Sequence, residues 1–323
     1  MSGISRTLRV RVTRKEQMAV DVALFELVST TGEALPPFAA GSHIEVLTPG
    51  GLIRHYSLCN DPEDSLRYQI AILKEEKGRG GSRAMHETVE VGSEISISEP
   101  KNHFPLAHSA QSSLLFAGGI GITPLLCMAE RLSAIDHPFA LHYCTRSAER
   151  TAFRERIAAS LYAEHAHLHF DDGAPDQKAN LEELLRAQGA GVHLYTCGPK
   201  GFMDAVLSTA RRNGWTEDQL HYEFFSAEPV KLDSDGSFEI QLASSGRVIP
   251  VAPNQTAVSA LRAEGVDVPT SCEQGVCGTC LTRVLDGEPD HRDLYLSADE
   301  QAANDQFLPC CSRAKSTRLV LDL

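Results

Sequence analysis

Near its C-terminal end the chain reads Cys272-Glu-Gln-Gly-Val-Cys277-Gly-Thr-Cys280. The three cysteines are separated by four and two residues, the spacing with which plant-type proteins hold a [2Fe–2S] cluster. The glycines at positions 275 and 278 suit a loop that wraps a cluster, because glycine adopts positive φ angles at little cost. Four thiols can also bind zinc, but zinc sites are usually built from paired C-x2-C knuckles, which this stretch lacks. The stretch therefore predicts a [2Fe–2S] cluster bound by Cys272, Cys277, Cys280 and a fourth cysteine.

The fourth ligand has two candidates, the neighbours Cys310 and Cys311. The segment resembles the ferredoxin family, in which the last ligand lies about thirty residues beyond the third. That resemblance favours Cys310, which stands at this interval from Cys280. A cluster of this type carries one electron at a time, so the rest of the chain is expected to supply and to remove single electrons.

Length and composition are typical of a soluble protein with several domains. The chain has 323 residues, enough for two or three domains, and 42% of them are hydrophobic and 23% charged. No run of about eighteen apolar residues occurs, and the first residues lack the apolar core of a signal peptide, so we expect a cytoplasmic protein without a membrane span. Cysteines in the reducing cytosol serve as metal ligands more readily than as disulfides. Those outside the predicted sites are expected to be ordinary neutral thiols: Cys59, Cys127, Cys144 and Cys311.

The formal net charge of −13 bears on the partners of the protein. It argues against nucleic acid and against an anionic membrane, because both would repel an acidic surface. A solvated acidic surface and a docking face for a partner protein both remain open. We expect the chain itself to be a monomer.

The N-terminal third predicts an antiparallel β-barrel, because short alternating segments are separated there by turn residues. The predicted strands cover residues 8–12, 23–28, 43–47, 68–73 and 95–98. Two stretches stand out: Arg54-His55-Tyr56-Ser57 follows a predicted strand, and Gly78-Arg-Gly80-Gly81-Ser82 precedes a predicted short helix. Glycines and a serine at a helix N-terminus favour an anion site, since free N–H groups and the helix dipole face the ligand.

The middle third predicts an α/β domain with a parallel sheet. Strands are predicted at 113–117, 139–143, 167–170 and 192–196, and helices at 151–161, 181–188 and 203–213. In such a sheet, ligands bind at the carboxyl ends of the strands. Two motifs lie at strand ends, Gly118-Gly119-Ile-Gly121-Ile-Thr123-Pro and Cys197-Gly198-Pro199. In the first, the glycines would let backbone approach a pyrophosphate, and Thr123 is predicted to cap the following helix. It is not the full G-x-G-x-x-G fingerprint, so a standard Rossmann site is not expected.

The C-terminal part predicts a small α+β domain of the β-grasp type. Residues 227–236 are polar and lack periodicity, which is typical of a linker. Strands are predicted at 238–242, 247–251, 281–285 and 318–323, and a helix at 256–264 that ends before Gly265. Between Phe238 and Leu323 there are 12 acidic and 7 basic residues, so this domain is mildly acidic.

The Arg54–Ser57 strand motif, followed by the glycine loop, is similar to the flavin site of the ferredoxin–NAD(P) reductase superfamily. The resemblance implies that Arg54 pairs with the flavin phosphate, Tyr56 packs against the isoalloxazine ring and Ser57 lies near flavin N5. A guanidinium fork suits phosphate and an aromatic face suits the ring, so these residue types fit the implied roles. The implied flavin-binding set is Arg54, His55, Tyr56, Ser57, Gly80, Gly81 and Ser82.

The middle third resembles the pyridine-nucleotide domain of the same superfamily. The resemblance places Cys197 near the nicotinamide, Phe225 over the flavin and Glu223 close to the site. Both Phe224 and Phe225 could equally be core residues, and a nucleophilic role for Cys197 lacks a neighbouring base. The implied catalytic residues are Ser57, Cys197 and Glu223. The implied nucleotide-binding residues are Gly118, Gly119, Gly121, Thr123, Cys197, Gly198, Pro199 and Phe225.

The order of domains resembles that of the phthalate dioxygenase reductase family, which includes the reductases of vanillate demethylase and carnitine monooxygenase. The resemblance implies an FMN-binding β-barrel domain at 1–104, an NAD-binding α/β domain at 105–228, a linker at 229–236 and a plant-type [2Fe–2S] ferredoxin domain at 237–323. Members of the family use FMN, NADH and the cluster.

The family's activity implies an electron-transfer reductase. NADH would give a hydride to FMN, and single electrons would pass through the [2Fe–2S] cluster to a separate Rieske non-haem iron oxygenase. The sequence lacks the C-x-H…C-x2-H pair of a Rieske centre, so that oxygenase is expected to be another polypeptide. The alternative is a stand-alone flavin and iron–sulfur NAD(P)H oxidase or ferric reductase built from the same modules. Arg146 or Ser147 could accept the 2′-phosphate of NADPH, but the resemblance favours NADH.

Overall fold

The computed structural model of the protein describes residues 7–76, 78–186, 189, 191–225 and 235–323. The chain divides into two compact units, one extending to Phe225 and the other beginning at Ser226. The predicted barrel and nucleotide domains therefore share one unit, and the predicted ferredoxin domain lies in the other. The boundary between residues 104 and 105 stays a prediction. Of the predicted linker, residues 229–234 lie outside the described residues.

The first part of the larger unit is an antiparallel barrel. Its strands pair in the order β4-β3-β6-β1-β2-β5, and β7 pairs with β3. A bridge between Leu58 and Ile70 joins the chain after β4 to β5 and so closes the barrel. The elements are β1 Thr7–Ala19, β2 Val22–Ser29, β3 Ser42–Leu47, β4 Ile53–Ser57, β5 Arg67–Leu73, α1 Gly81–Thr88, β6 Glu94–Ser98 and β7 Lys101–Asn102.

Alternation along the strands decides which side chains fill the barrel. In β1, Val10 and Val12 are fully buried, whereas Arg9 and Arg11 lie outside and face Glu94. Two register shifts keep β1 paired with β2 as far as its last residue, so β1 is much longer than predicted. The Arg54–Ser57 motif follows the strand predicted at 43–47, which is β3, and the motif itself forms the strand β4.

The second part of the larger unit is a five-stranded sheet in which every pair is parallel, in the order β10-β9-β8-β11-β12. This confirms the predicted α/β fold. The strands are β8 Ser112–Gly118, β9 Phe139–Thr145, β10 Ala166–Phe170, β11 Val192–Cys197 and β12 Leu220–Glu223. The helices are α2 Ile122–Ala134, α3 Arg154–Ala158, α4 Leu181–Leu184 and α5 Lys200–Arg212.

Two helix starts differ from the predictions. Gly121, not Thr123, is the N-cap of α2, and the Thr123 hydroxyl donates to the Ile120 carbonyl at 3.1 Å from inside the first turn. The prediction of Thr123 as the cap was therefore wrong. Helix α3 begins three residues later than predicted, because Phe153 before it has a left-handed φ of 63°.

The smaller unit is a mixed sheet in the order β14-β13-β19-β15-β17 with helix α6 packed on β14, beside a two-stranded ribbon of β16 and β18. The central pair, β13 and β19, is parallel, as in a β-grasp fold. Thr256 caps α6 by accepting from the Ser259 N–H, and Gly265 follows the helix with a φ of 77°. The elements are β13 Phe238–Leu242, β14 Val248–Val251, α6 Ala257–Ala263, β15 Thr282–Asp286, β16 Pro289–Asp290, α7 Ala298–Ala303, β17 Gln306–Phe307, β18 Arg313–Ala314 and β19 Arg318–Leu321.

Within the described residues, no helix has both the length and the apolar composition needed to cross a membrane.

Candidate functional site

The three candidate catalytic residues come together in the larger unit. Ser57 is the last residue of β4 in the barrel, and Cys197 and Glu223 are the last residues of the parallel strands β11 and β12, where they are register partners. The Ser57 hydroxyl donates to the Glu223 carboxylate. A parallel sheet thus presents these side chains at its carboxyl edge, against the end of a barrel strand.

Glu223 has an unusual electrostatic environment. Burial raises the pKa of its carboxyl group to about 8, and the hydrogen bond from Ser57 lowers it only in part. Its Oε2 atom is buried and has no hydrogen-bond partner among the described residues. A carboxyl group that is largely protonated near neutral pH and has an unused oxygen can exchange a proton with a bound ligand.

Cys197 is a buried neutral thiol. Its side chain has no exposed surface, and burial followed by the nearby Glu223 carboxylate raises its pKa. A protonated thiol is a poor nucleophile, which agrees with the expectation that Cys197 only contacts a cofactor.

The glycines at the strand ends are required by packing within the protein. A Cβ atom at Gly121 would lie 2.2 Å from the Cys197 carbonyl oxygen, and Cβ atoms at Gly118 and Gly198 would lie 2.6 and 2.8 Å from the Phe202 ring. The two strand-end motifs therefore pack directly on one another. Gly119 is different, because its φ is 53° and nothing lies within 4 Å of its Cβ position. Among Gly118, Gly119, Gly121 and Gly198, Gly119 is therefore the position with open space for the predicted nucleotide.

The strand-to-helix turn after Cys197 forms as predicted. Pro199 is the N-cap of α5, and its carbonyl accepts from the Met203 N–H at 3.0 Å. The first backbone N–H groups of this helix lie at the carboxyl edge of the sheet, beside Gly118.

The predicted flavin motif brings Arg54 against the glycine loop. A Cβ atom at Gly81 would lie 2.8 Å from the Arg54 Nε atom, so this glycine lets the guanidinium approach the start of α1. Gly80, the N-cap of α1, has a φ of 93°, and the Ser82 hydroxyl accepts from the Glu75 N–H at 3.0 Å. A guanidinium beside free helix N–H groups is an anion site.

Tyr56 also fits a bound group. Its ring packs partly against the barrel core, and its hydroxyl is buried without a hydrogen-bond partner among the described residues. Burial raises the pKa of this phenol. Since an unpaired buried hydroxyl is costly, this atom offers a hydrogen-bonding position to a polar group of a bound ligand.

His55 lies away from Arg54 and Tyr56. Its ring stacks on His43 with 5.0 Å between centroids, and its Nε2 atom is 3.8 Å from the Glu45 Oε1 atom. His43 and Glu45 are buried polar residues of β3 that the sequence analysis missed, although both lie in a predicted strand. Burial lowers the pKa of His43 to about 3, so this residue is neutral. The structure therefore places His55 in a separate polar cluster on the other face of β4.

The two candidate aromatic residues after β12 point to different sides. Phe225 packs against the cluster of buried residues that includes Cys197, whereas Phe224 packs against the cluster around Trp215. Only Phe225 lies on the side of the candidate catalytic residues.

The cysteines of the smaller unit form two thiol pairs. Cys272 hydrogen-bonds to Cys277, and Cys280 to Cys310, and these contacts lower the pKa of Cys277 and that of Cys310. Cys310 also hydrogen-bonds to its neighbour Cys311. In the described ranges, no three His, Cys, Asp or Glu side chains are arranged around a single ion position. Two irons with two thiolates each require four thiols grouped in this way, so the donor set fits a [2Fe–2S] cluster.

The backbone of the cysteine loop shows why glycine occurs twice. Gly275 and Gly278 have φ angles of 74° and 69°. A Cβ atom at Gly278 would lie 2.3 Å from the Tyr295 ring, and one at Gly275 would lie 2.6 Å from the Cys311 Sγ atom. The Cys311 thiol thus packs against Gly275, whereas Cys310 hydrogen-bonds to Cys280.

Comparisons with known proteins agree with this geometry. Residues 240–315 match the profile of the 2Fe-2S iron-sulfur cluster binding domain, and residues 98–220 match the N-terminal domain of dimethylamine monooxygenase subunit DmmA-like proteins. The chain is 52% identical to a vanillate O-demethylase oxidoreductase of Pseudomonas sp. (strain HR199 / DSM 7063) over 316 residues, which cover 98% of this chain and 100% of that protein. It is 39% identical to the phthalate dioxygenase reductase of Burkholderia cepacia, covering 98% and 97% of the two chains.

A solved structure gives the same result. The structure of phthalate dioxygenase reductase, described as modular for electron transfer from pyridine nucleotides to [2Fe–2S], superposes with a TM-score of 0.80 over 98% of both chains at 39% identity. These matches confirm the predicted fold class, oxidoreductase activity and cofactor set of FMN, NADH and a [2Fe–2S] cluster. The chain belongs to the phthalate dioxygenase reductase family of flavin and iron–sulfur oxidoreductases.

Proposed function

We propose that the protein is the NADH-dependent reductase component of a Rieske-type oxygenase system, acting as a cytoplasmic monomer. The observation that carries the proposal is the meeting of Ser57, Cys197 and Glu223 at the junction of barrel and parallel sheet, in a chain that also holds four thiols in two pairs. The first arrangement suits a two-electron donor and the second a one-electron carrier. Relatives with this domain order are named as reductases of vanillate demethylase and of phthalate dioxygenase, which supports a separate oxygenase as partner.

FMN would be held by Arg54 and by the N–H groups at Gly81 and Ser82, with Tyr56 against its ring. The support is the packing of the guanidinium on Gly81 and the unpaired Tyr56 hydroxyl. His55 is assigned an indirect role, since it stacks on His43 away from these groups. When bound, the flavin accepts a hydride from NADH and releases electrons singly, chemistry that belongs to the cofactor.

NADH would bind along the carboxyl edge of the parallel sheet. The open space at Gly119 and the N-terminus of α5 after Gly198 and Pro199 suit its pyrophosphate. Gly118, Gly121 and Thr123 shape the turn, and Cys197 and Phe225 would contact the nicotinamide side. Buried side chains here exclude water from the place of hydride transfer.

Ser57 and Glu223 would exchange a proton with the bound ligand. The Ser57 hydroxyl can turn from the Glu223 carboxylate toward a ligand atom, and Glu223 can take up or release a proton near neutral pH because its pKa is raised to about 8. In the smaller unit, Cys272, Cys277, Cys280 and Cys310 would hold the cluster.

Two electron acceptors test the proposal. Ferricyanide accepts electrons from a reduced flavin, whereas cytochrome c reports on the cluster. With NADH, the wild-type protein should reduce both, and Cys272→Ser should lose cytochrome c reduction but keep ferricyanide reduction. Cys144→Ser is the matched control, since this half-buried thiol lies in β9 and should leave both activities unchanged. A Cys272→Ser protein that still reduces cytochrome c at the wild-type rate would contradict the proposed order of electron flow.

A further inference from the structure

A buried ion pair attaches the start of the smaller unit to its interior. The Arg292 guanidinium makes two parallel hydrogen bonds to the Asp235 carboxylate, Nη1 to Oδ2 at 2.9 Å and Nη2 to Oδ1 at 2.5 Å. It also contacts the Asp290 Oδ2 atom at 2.8 Å from Nε. The Arg292 and Asp235 side chains are only 8% and 9% exposed. Asp235 is the first described residue of the predicted linker, so a residue near the end of the linker is held in the interior.

The same arginine is connected to the cysteine loop. Its backbone N–H donates to the Ser312 hydroxyl at 3.1 Å, and that hydroxyl donates to the buried Asp293 carboxylate at 3.2 Å. The next residue, Leu294, donates its N–H to the Gly275 carbonyl at 3.0 Å. Gly275 lies between two predicted cluster ligands. A short chain of hydrogen bonds and backbone therefore joins Asp235 to the backbone around Gly275. We call the backbone that carries the four predicted cluster ligands the cysteine frame.

A second arginine holds the next linker residue. The Arg313 Nη2 atom donates to the Gly236 carbonyl at 2.9 Å, and its Nη1 atom donates to the Gln255 carbonyl at 2.9 Å. Its guanidinium lies over the Phe238 ring at 5.2 Å, and the side chain is buried. Because Arg313 is three residues beyond Cys310, the end of the linker is also attached close to the fourth predicted ligand.

Stability alone is a weak reason for this arrangement. Desolvation of a buried ion pair offsets most of its attraction, so packed apolar side chains would stabilise the unit as well. What a bidentate guanidinium–carboxylate pair adds is a fixed geometry. The same unit contains an ordinary pair for comparison, Arg318 with Glu239, whose side chains are both 46% exposed and join two strands of the sheet. Among the described residues, neither side chain of that pair hydrogen-bonds to Asp235 or Gly236.

We propose that Asp235 is a positioning residue: its bond to Arg292 fixes the end of the linker on the cysteine frame, and electron entry into the cluster depends on that attachment. The inference rests on the proposed function. A linker end that is held at one point restricts the orientations in which the cluster can meet its electron donor. A released end adds freely rotating backbone, so the cluster spends a smaller fraction of time in an orientation that allows electron transfer.

The test compares Asp235→Asn with the matched control Glu239→Gln in the full-length protein with flavin and cluster bound. Each is mixed anaerobically with NADH in a stopped-flow instrument, and the bleaching of the flavin and of the cluster is followed separately. Cluster content is measured by iron analysis and electron paramagnetic resonance. We expect Asp235→Asn to slow cluster reduction about tenfold, the factor that corresponds to one lost charge-assisted contact. Flavin reduction and cluster content should not change, and Glu239→Gln should behave as wild type.

Arg292→Lys provides a second variant, since it keeps the charge but lacks the fork. It should slow cluster reduction as Asp235→Asn does. Cluster reduction at the wild-type rate in both variants would overturn the inference and leave the proposed function intact. Equal loss of cluster from Asp235→Asn and Glu239→Gln would also overturn it, because the pair would then be merely structural. A wild-type protein whose cluster is not reduced by NADH would overturn both the inference and the proposed function.

Discussion

Replacing Glu223 by glutamine should stabilise the protein, and the gain should grow with pH. Burial raises the pKa of this carboxyl from an ordinary 4.5 to about 8. Between these two values the folded state holds a proton that the unfolded state has released, so each pH unit lowers the free energy of unfolding by about 1.4 kcal/mol. Glutamine matches the protonated acid in size, can still accept from Ser57 and does not titrate. Glu223→Gln should therefore be more stable than wild type by about 2 kcal/mol at pH 6 and about 4 kcal/mol at pH 8.

The assay is urea unfolding followed by tryptophan fluorescence at pH 6, 7 and 8. Trp215 is the single tryptophan of the chain, it is buried, and it lies in the same unit as Glu223, so its emission reports unfolding of that unit. Glu217→Gln is the control, because Arg211 lowers the pKa of Glu217 and its effect should not vary from pH 6 to pH 8. A gain for Glu223→Gln that is absent, or that stays constant over this range, would refute the argument from burial.

Three further predictions concern the other sites. Gly121→Ala should destabilise the larger unit by at least about 2 kcal/mol, because the added Cβ would lie 2.2 Å from a backbone carbonyl oxygen. Gly201→Ala should instead stabilise this unit by up to about 1 kcal/mol, because Gly201 lies in a helix with open space around its Cβ position. Urea unfolding measures the free energy of unfolding of both variants. Arg54→Ala should weaken FMN binding about 10- to 100-fold, because a charged hydrogen bond to the phosphate is lost; fluorescence titration measures the affinity. An unchanged affinity would show that Arg54 does not contact the FMN phosphate. Cys310→Ser should abolish the visible and electron paramagnetic resonance signals of the cluster and Cys311→Ser should keep them, and the reverse result would exchange their roles.

The sequence predicted the elements whose signal is local. Alternation in the barrel and apolar runs in the sheet indicated most strands, since burial on one face or on both leaves a pattern in neighbouring residues. It failed at β1, where register shifts extend the pairing beyond the alternating segment, and at Thr123, whose hydroxyl turns back to a carbonyl within the helix. Neither feature has a local signature.

The candidate site was predicted in its motifs but not in its contacts. The meeting of Ser57 with Glu223 depends on how the barrel packs against the sheet, and the pairs of Cys272 with Cys277 and Cys280 with Cys310 depend on the fold of the loop. The buried partner of His55, His43, was missed because a histidine in a strand resembles any polar residue facing solvent.

The central claim is that electrons pass from NADH to the flavin and then to the cluster of one chain. The most direct test is anaerobic titration of the purified full-length protein with NADH, followed by absorbance and by electron paramagnetic resonance. We predict that the flavin absorbance bleaches and that the spectrum of a reduced [2Fe–2S] cluster appears, and that the latter is missing in Cys272→Ser. A flavin that NADH reduces while the cluster stays oxidised, or a protein that binds neither chromophore, would contradict the account.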